Sequence, residues 1–405
     1  MNKSLPRVLI VAEHFNEPHG SALSAIDLLR SLQRVQSKDI LSEYPIPPGA
    51  YLHQTVSHSW LKLYRLRFLK GKLLQLALTF LKWAHQLRIR WWLMHGRFDI
   101  VIVNGFGSRM LWDKVKSSIS KNVILVVVSR ESPRHFDSGD RCSTLQEQTA
   151  FLSSFNAHIF VSKKLRNEWI EVANLSRRTS YYLPNCCEEK PLLDIRRNEN
   201  RKCILRAHHD IQKDIPLLLN IGTIELRKGQ QDLIPLARYL ETRYQDFRIV
   251  CVGFDATKEG SNLRRNIEDS QIGRFFLFPG VCKSVAEWYS EADILVFTSR
   301  AEAMPRTILE AMASSLPIVS TNVDGIPELI EHKKDGYLYS PGDVQSLIDC
   351  VETMLTYPHI ADKVSASARF KYVHSFCQER HRERLEHILK QIISVDTEST
   401  ENDII

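Results

Sequence analysis

Two glutamates, Glu302 and Glu310, stand eight positions apart in the segment Ser299-Arg-Ala-Glu-Ala-Met-Pro-Arg-Thr-Ile-Leu-Glu-Ala-Met-Ala313. The apolar run Ile294–Phe297 precedes them, and a helical pattern follows from Thr307. Glu302 is therefore expected in the loop after a buried strand, and Glu310 about one turn into a helix. Carboxylates in those places accept paired hydrogen bonds from sugar or ribose hydroxyls. The turn between them, Ala303, Met304, Pro305, Arg306 and Thr307, opens a helix whose free N–H groups suit a diphosphate. A second loop, Asn220-Ile-Gly-Thr-Ile-Glu-Leu-Arg-Lys-Gly229, follows another apolar run. Gly222 lets the backbone approach a ligand closely. Arg227 and Lys228 put two cations in the same loop, where charge-assisted bonds to phosphate are strongest. Taken alone, that loop also reads as a solvated turn.

The elements that must position these residues are short apolar runs alternating with helical patterns. Val8–Ala12, Ile100–Val103, Val123–Val128, Ile159–Val161 and Tyr181–Leu183 read as strands of a first half. Leu217–Ile221, Phe247–Val252, Phe275–Phe278, Ile294–Phe297 and Ile318–Ser320 read as strands of a second. Most are continuously apolar, as in strands covered by helices on both faces. The pattern predicts an α/β protein with two doubly wound, Rossmann-like domains and ligands at the carboxyl ends of the strands. The expected division is a first domain over 1–185, a charged linker over 186–215, a second domain over 216–375, and a C-terminal helix with a frayed tail over 376–405.

Composition bounds the function. The chain has 405 residues, 43% hydrophobic and 25% charged, which suits a globular protein with ordinary cores. The N-terminus shows no signal-peptide pattern, and no apolar run reaches membrane-spanning length. The eight cysteines are scattered without a C-x-x-C pair, so neither a zinc knuckle nor a disulfide framework is expected. A cytoplasmic protein follows from that reading. The net charge of +7 is local: from Glu43 to Asp99 there is no intervening Asp or Glu, but nine Lys and Arg. Residues 60–98 mix these cations with tryptophans and apolar residues three or four apart. That stretch reads either as ordinary amphipathic helices of the first domain or as a surface for anionic lipid headgroups. No nucleic-acid-binding motif is recognised, and no nucleic-acid partner is expected.

The segment from Glu302 to Glu310 resembles the E-x7-E element of retaining family-4 glycosyltransferases of the GT-B fold. The loop Gly222–Gly229 is similar to the G-[RST]-x(3)-[RK]-K-G element of the same family. The resemblance implies two doubly wound domains facing across a cleft, and a hexosyltransferase-type activity that is metal-independent and uses no cofactor. It implies a UDP- or GDP-sugar donor, and a glycan or lipid-linked acceptor in polysaccharide or glycolipid assembly. Lys228 and Glu302 would be catalytic: Lys228 at the donor diphosphate, Glu302 on sugar hydroxyls. Glu310 would hold the ribose diol. Thr223 stands where many members have Arg, a charge that Arg227 would replace. Gly280, Val281 and Val285 would line the base pocket. The family retains anomeric configuration, with a front-face route commonly proposed.

In the first half, the resemblance places Gly20 and Ser21 across from the diphosphate, although the family's loop there is richer in glycine. A functional histidine is expected after the strand Val123–Val128, where Arg130, Glu131, Arg134 and His135 cluster. His135 is the candidate; His14 and His19 are rivals. Two other readings stay open: a non-catalytic sugar-nucleotide or glycan-binding protein on this scaffold, and another GT-B enzyme such as an epimerase.

Overall fold

The computed structural model describes residues 5–13, 20–42, 87, 89–134, 144–189, 192, 204–282 and 285–402; side chains at 20, 21, 204 and 396–402 are left undescribed. His14, His19 and His135 lie outside the described residues, as does most of the 60–98 stretch. The chain divides into two compact units. One holds residues 1–161, 166–183 and 382–405; the other holds 162–165 and 184–381.

The first unit is built on a parallel sheet of six strands: β1 (Arg7–Ala12), β2 (Ser37–Ser42), β3 (Ile100–Asn104), β4 (Ile124–Ser129), β5 (Ala157–Phe160) and β6 (Ser180–Tyr182). Their order is β2-β1-β3-β4-β5-β6. The chain thus winds one way from β1 to β2, then restarts beside β1 and winds the other way. The second unit repeats this plan with β7 (Leu217–Ile221), β8 (Arg248–Val252), β9 (Phe276–Gly280), β10 (Ile294–Phe297), β11 (Ile318–Thr321) and β12 (Tyr337–Tyr339). Its order is β12-β11-β10-β7-β8-β9, all parallel. The reversal points lie between β1 and β3 and between β7 and β10. Loops leaving adjacent strands there diverge to opposite faces and leave a crevice at the carboxyl edge.

The α/β architecture is as expected, and all ten expected strands are present. Two were missed, β2 and β12, and both are sheet edges. An edge strand is paired on one side only and needs less apolar sequence. β2 begins Ser-Lys-Asp, and β12 has three residues.

The cores follow the patterning. Val8, Ile10, Ile100, Ile102, Val126 and Ile159 join one buried cluster in the first unit. Leu385, Ile388, Leu389 and Ile392, from the last helix Gln378–Asn402, belong to the same cluster. Their spacing is that of one helical face. This helix runs through residues expected to be a frayed tail, since a packed segment supplies the nucleus from which helix propagates. Leu218, Ile249, Val296 and Val319 anchor the core of the second unit together with Leu347 and Val351 of the helix Val344–Thr356.

The second unit also takes in the expected linker. Arg206 is buried, and its guanidinium donates to the carbonyls of Glu291, Gln212 and Ile215 and to Asp293 Oδ2. The Glu291 carboxylate in turn accepts the Leu205 and Arg206 amides. A buried guanidinium needs such a full set of acceptors, and these bonds tie 204–215 to the domain.

Candidate functional site

At the reversal point of the second sheet, the loops after β7 and β10 bring Lys228 and Glu302 together. Lys228 closes a short 3-10 turn, Leu226–Lys228. Gly229 follows it with φ of 70°, and a Cβ there would lie 2.1 Å from the Thr298 carbonyl oxygen. Glycine is therefore required twice over, for the left-handed backbone and for the close approach of the two loops. Thr298 Oγ1 donates to the Lys228 carbonyl at 2.7 Å, and the Arg300 amide donates to the Arg227 carbonyl at 2.8 Å. Arg300 Nη2 donates to Asp232 Oδ1 at 2.7 Å behind this seam. Burial pushes the Asp232 carboxyl above its usual range, although Arg300 opposes the shift.

Lys228 Nζ stands 2.5 Å from Glu302 Oε1. The same oxygen accepts from Ser299 Oγ at 3.0 Å and from Arg227 Nη1 at 3.5 Å. Arg227 also reaches Glu225 Oε1 at 2.6 Å and the Ala301 carbonyl at 3.1 Å. The Glu302 main chain is fixed from the next strand over. Its amide donates to Asp324 Oδ2 at 3.0 Å, and its carbonyl accepts the Gly325 amide at 3.1 Å. At Gly325 a Cβ would lie 1.7 Å from the Ala303 carbonyl oxygen. The loops after three neighbouring strands of the sheet, β7, β10 and β11, thus converge on one glutamate and two cations. Lys228 and Glu302 are largely shielded, whereas Arg227 is exposed on its outer side.

The other expected residues are distributed around this centre. Met304 is buried, and its carbonyl accepts Asn185 Nδ2 at 2.8 Å. Pro305 precedes the helix Arg306–Ala313, whose first turn holds Arg306 and Thr307 and whose second holds Glu310. Glu310 does not join the cluster around Glu302 Oε1. Its Oε2 accepts from Tyr289 Oη at 2.8 Å, and Tyr289 lies on the helix Ala286–Glu291 that leads into β10. Thr223 does not supply a donor to the cluster; its hydroxyl is turned to Glu225 Oε1 at 3.1 Å. Arg227 carries the second positive charge of the cluster. Gly280 ends the edge strand β9, with Val281 exposed beyond it and Val285 capping the next helix. These three sit along the carboxyl edge with β7 and β8 between them and β10.

In the first unit, the reversal point between β1 and β3 holds a pocket of about 170 Å³. Glu13 from the β1 end, the turn Asn104–Ser108 after β3, and Arg130 and Glu131 after β4 line it. Ser108 Oγ donates to the Asn104 carbonyl at 2.8 Å and accepts the Glu13 amide at 3.1 Å, holding the turn in place. Of the expected cluster, Arg130 and Glu131 face this pocket, while Arg134 pairs with Glu168 at 3.3 Å. Gly20 and Ser21 open the helix Gly20–Ser31 that follows β1. Sequence reading missed Ser299, Asp324, Asn185 and Tyr289. Their signal was positional: each lies beside a recognised motif, and none has a residue type that demands chemistry.

Comparison with known proteins matches residues 215–357 to the family described as glycosyl transferases group 1. Over these residues the chain is similar to that family. The matched span holds every residue of the Lys228–Glu302 centre. N-acetyl-alpha-D-glucosaminyl L-malate synthase of Bacillus anthracis is 26% identical over 192 residues, 47% of this chain and 50% of that protein. The putative colanic acid biosynthesis glycosyltransferase WcaL of Salmonella typhimurium is 28% identical over 184 residues, 43% of this chain and 45% of that protein. The chain thus spans half or less of the length of these curated relatives. Among solved structures, Anabaena Alr3699/HepE in complex with UDP and glucose superposes with a TM-score of 0.74 at 18% identity, over 95% of this chain and 99% of that one. The two doubly wound units are those of the GT-B fold.

Among the described residues, no group of three or more His, Cys, Asp or Glu is placed to hold a metal ion, and no helix is long and apolar enough to cross a membrane.

Proposed function

We propose that the chain is a retaining, family-4 glycosyltransferase that moves a hexose from a UDP- or GDP-sugar to a glycan or lipid-linked acceptor in polysaccharide or glycolipid assembly. The observation that carries this reading is the convergence of Lys228, Arg227 and Glu302 at the reversal point of the second sheet. Transfer of a sugar from a nucleotide needs a stabilised leaving diphosphate, an exposed anomeric carbon and a positioned acceptor. Lys228 and Arg227 supply the cations for the first. Glu302, freed from Lys228 as the phosphate takes its place, accepts from sugar hydroxyls. The bond from the anomeric carbon to the phosphate oxygen breaks as the bond to the acceptor oxygen forms on the same face. The acceptor proton passes to the leaving phosphate. With two side-chain cations at the diphosphate, the step runs without a divalent metal. His135 is kept as the first unit's candidate at the transferred sugar.

The test is a panel of sugar nucleotides with assay of nucleoside diphosphate release, with and without chelator. Release from one donor, lost in Lys228→Ala and Glu302→Gln, supports the reading. Binding without release points to the non-catalytic alternative, and neither binding nor release overturns both.

The basic stretch over 60–98 is proposed to contact an anionic membrane, which brings a lipid-anchored acceptor within reach. What supports this is the helix at its described end, where Leu93 is buried while Trp91 and Met94 are each 60% exposed beside Arg90. Exposed tryptophan beside cations suits a headgroup interface. Co-sedimentation with anionic vesicles at low salt, lost at high salt, is the expected result; no binding at low salt removes the proposal.

A further inference from the structure

The helix Ala286–Glu291 precedes β10, and the helix Arg306–Ala313 follows it. The two flank one strand. Tyr289 crosses between them: it is 2% exposed, and its hydroxyl donates to Glu310 Oε2 at 2.8 Å. The Thr307 carbonyl lies 3.2 Å from the same hydroxyl. A phenol has a single proton to donate, and the shorter, charge-assisted bond goes to the carboxylate. Burial, and after it the neighbouring Glu310 charge, push the Tyr289 phenol well above its ordinary range, so it stays a donor at neutral pH. Glu310 itself is only partly buried. A carboxylate at such a place samples several rotamers unless something holds it.

We propose that Tyr289 is a positioning residue, fixing the Glu310 carboxylate for the vicinal hydroxyls of the donor's ribose. The inference rests on the donor reading above and assigns part of its specificity to a side chain buried beneath the site. With Oε2 tied from below, carboxylate rotation is restricted, and both ribose hydroxyls meet an acceptor of fixed direction. The consequence is selectivity for ribonucleotides, because a site built around a hydroxyl discriminates against the analogue that lacks it.

The test is calorimetric binding of UDP, GDP and their 2′-deoxy analogues to the full chain. The wild type is expected to prefer the ribonucleotide by about tenfold or more, the scale of a charge-assisted hydrogen bond. Tyr289→Phe is expected to reduce that preference to about twofold or less and to raise donor KM with little change in kcat. Glu310→Gln should do the same, and the double variant should match either single one. Three results would overturn the inference. One is a Tyr289→Phe protein that keeps the full preference. Another is loss of the fold in that variant, which would make the phenol structural. The third is a wild type that binds UDP and 2′-deoxy-UDP equally. A wild type that binds no nucleoside diphosphate at all would instead bring down the donor reading itself.

Discussion

The reversal points of the two sheets have the same topology and different electrostatics. Between β1 and β3, the acidic Glu13 and Glu131 and the basic Arg130 line an open pocket of about 170 Å³. Between β7 and β10, Lys228 and Arg227 are drawn onto Glu302. The second set is over-determined: side-chain and main-chain bonds from the loops after β7, β10 and β11 fix each member. Winding alone therefore creates a crevice, and the loops decide its chemistry. Charge held by loops fixed in this way suits a developing phosphate charge, once Lys228 exchanges Glu302 for the phosphate.

The largest expected effect follows from breaking the second set. Lys228→Ala or Glu302→Gln should lower nucleoside diphosphate release by about 10²- to 10³-fold, the range for removing one preorganised partner. Circular dichroism should show an unchanged fold. Turnover near the wild-type rate in either variant would place the chemistry elsewhere, with the first pocket next in line.

Next in size is the seam between the loops. Gly229→Ala adds a methyl at a left-handed position already in contact with Thr298. It should cost about 1–3 kcal/mol in urea unfolding and reduce activity through displacement of Lys228. An equally stable and active variant would show that the close approach of these loops is not required.

A smaller effect sharpens the contrast. Glu13→Gln and Arg130→Gln alter only the first pocket. They should leave the affinity for nucleoside diphosphate within about twofold if the donor is held by the second unit's residues alone. A large loss of donor affinity would mean that the two reversal points do not act as separate sites.

The smallest expected effect is on stability against pH. His158 is buried in β5, its Nε2 lies 2.8 Å from the Leu152 carbonyl, and burial holds the imidazole below its ordinary range. The unfolded chain then binds a proton more readily than the folded one. Stability rises with pH through the imidazole range and is lost as pH falls through it. The protection factors of first-sheet amides, which are corrected for the intrinsic exchange rate, should fall on acidification below about pH 6.5, and His158→Gln should flatten that dependence. Asp232 in the second unit has the opposite sign. Its carboxyl is raised by burial, so its contribution is present in acid and falls as pH rises through the carboxylate range. A first unit whose protection factors ignore pH would exclude this role for His158.

The amino-acid sequence by itself determined the alternation of apolar runs and helices, and with it the α/β class and ten of the twelve strands among the described residues. It also determined the two motif loops, because glycine, paired cations and spaced carboxylates carry their chemistry in residue type. Ile294–Phe297 could be read as a strand from its composition alone, and Glu302 placed in the loop after it. Only the tertiary structure decided what those residues touch. Asp324 is a turn residue until β11 is laid beside β10, and then it holds the Glu302 amide. Tyr289 is one aromatic among several until two helices flank the same strand, and then it claims Glu310. Arg206 reads as part of a charged linker until its five donors find carbonyls and a carboxylate in one domain. The physical reason is common to all three. Periodicity and residue type are local properties that a short window of chain carries. A hydrogen bond between residues 21 or 22 positions apart depends on strand order, which the chain settles only when the sheet is assembled.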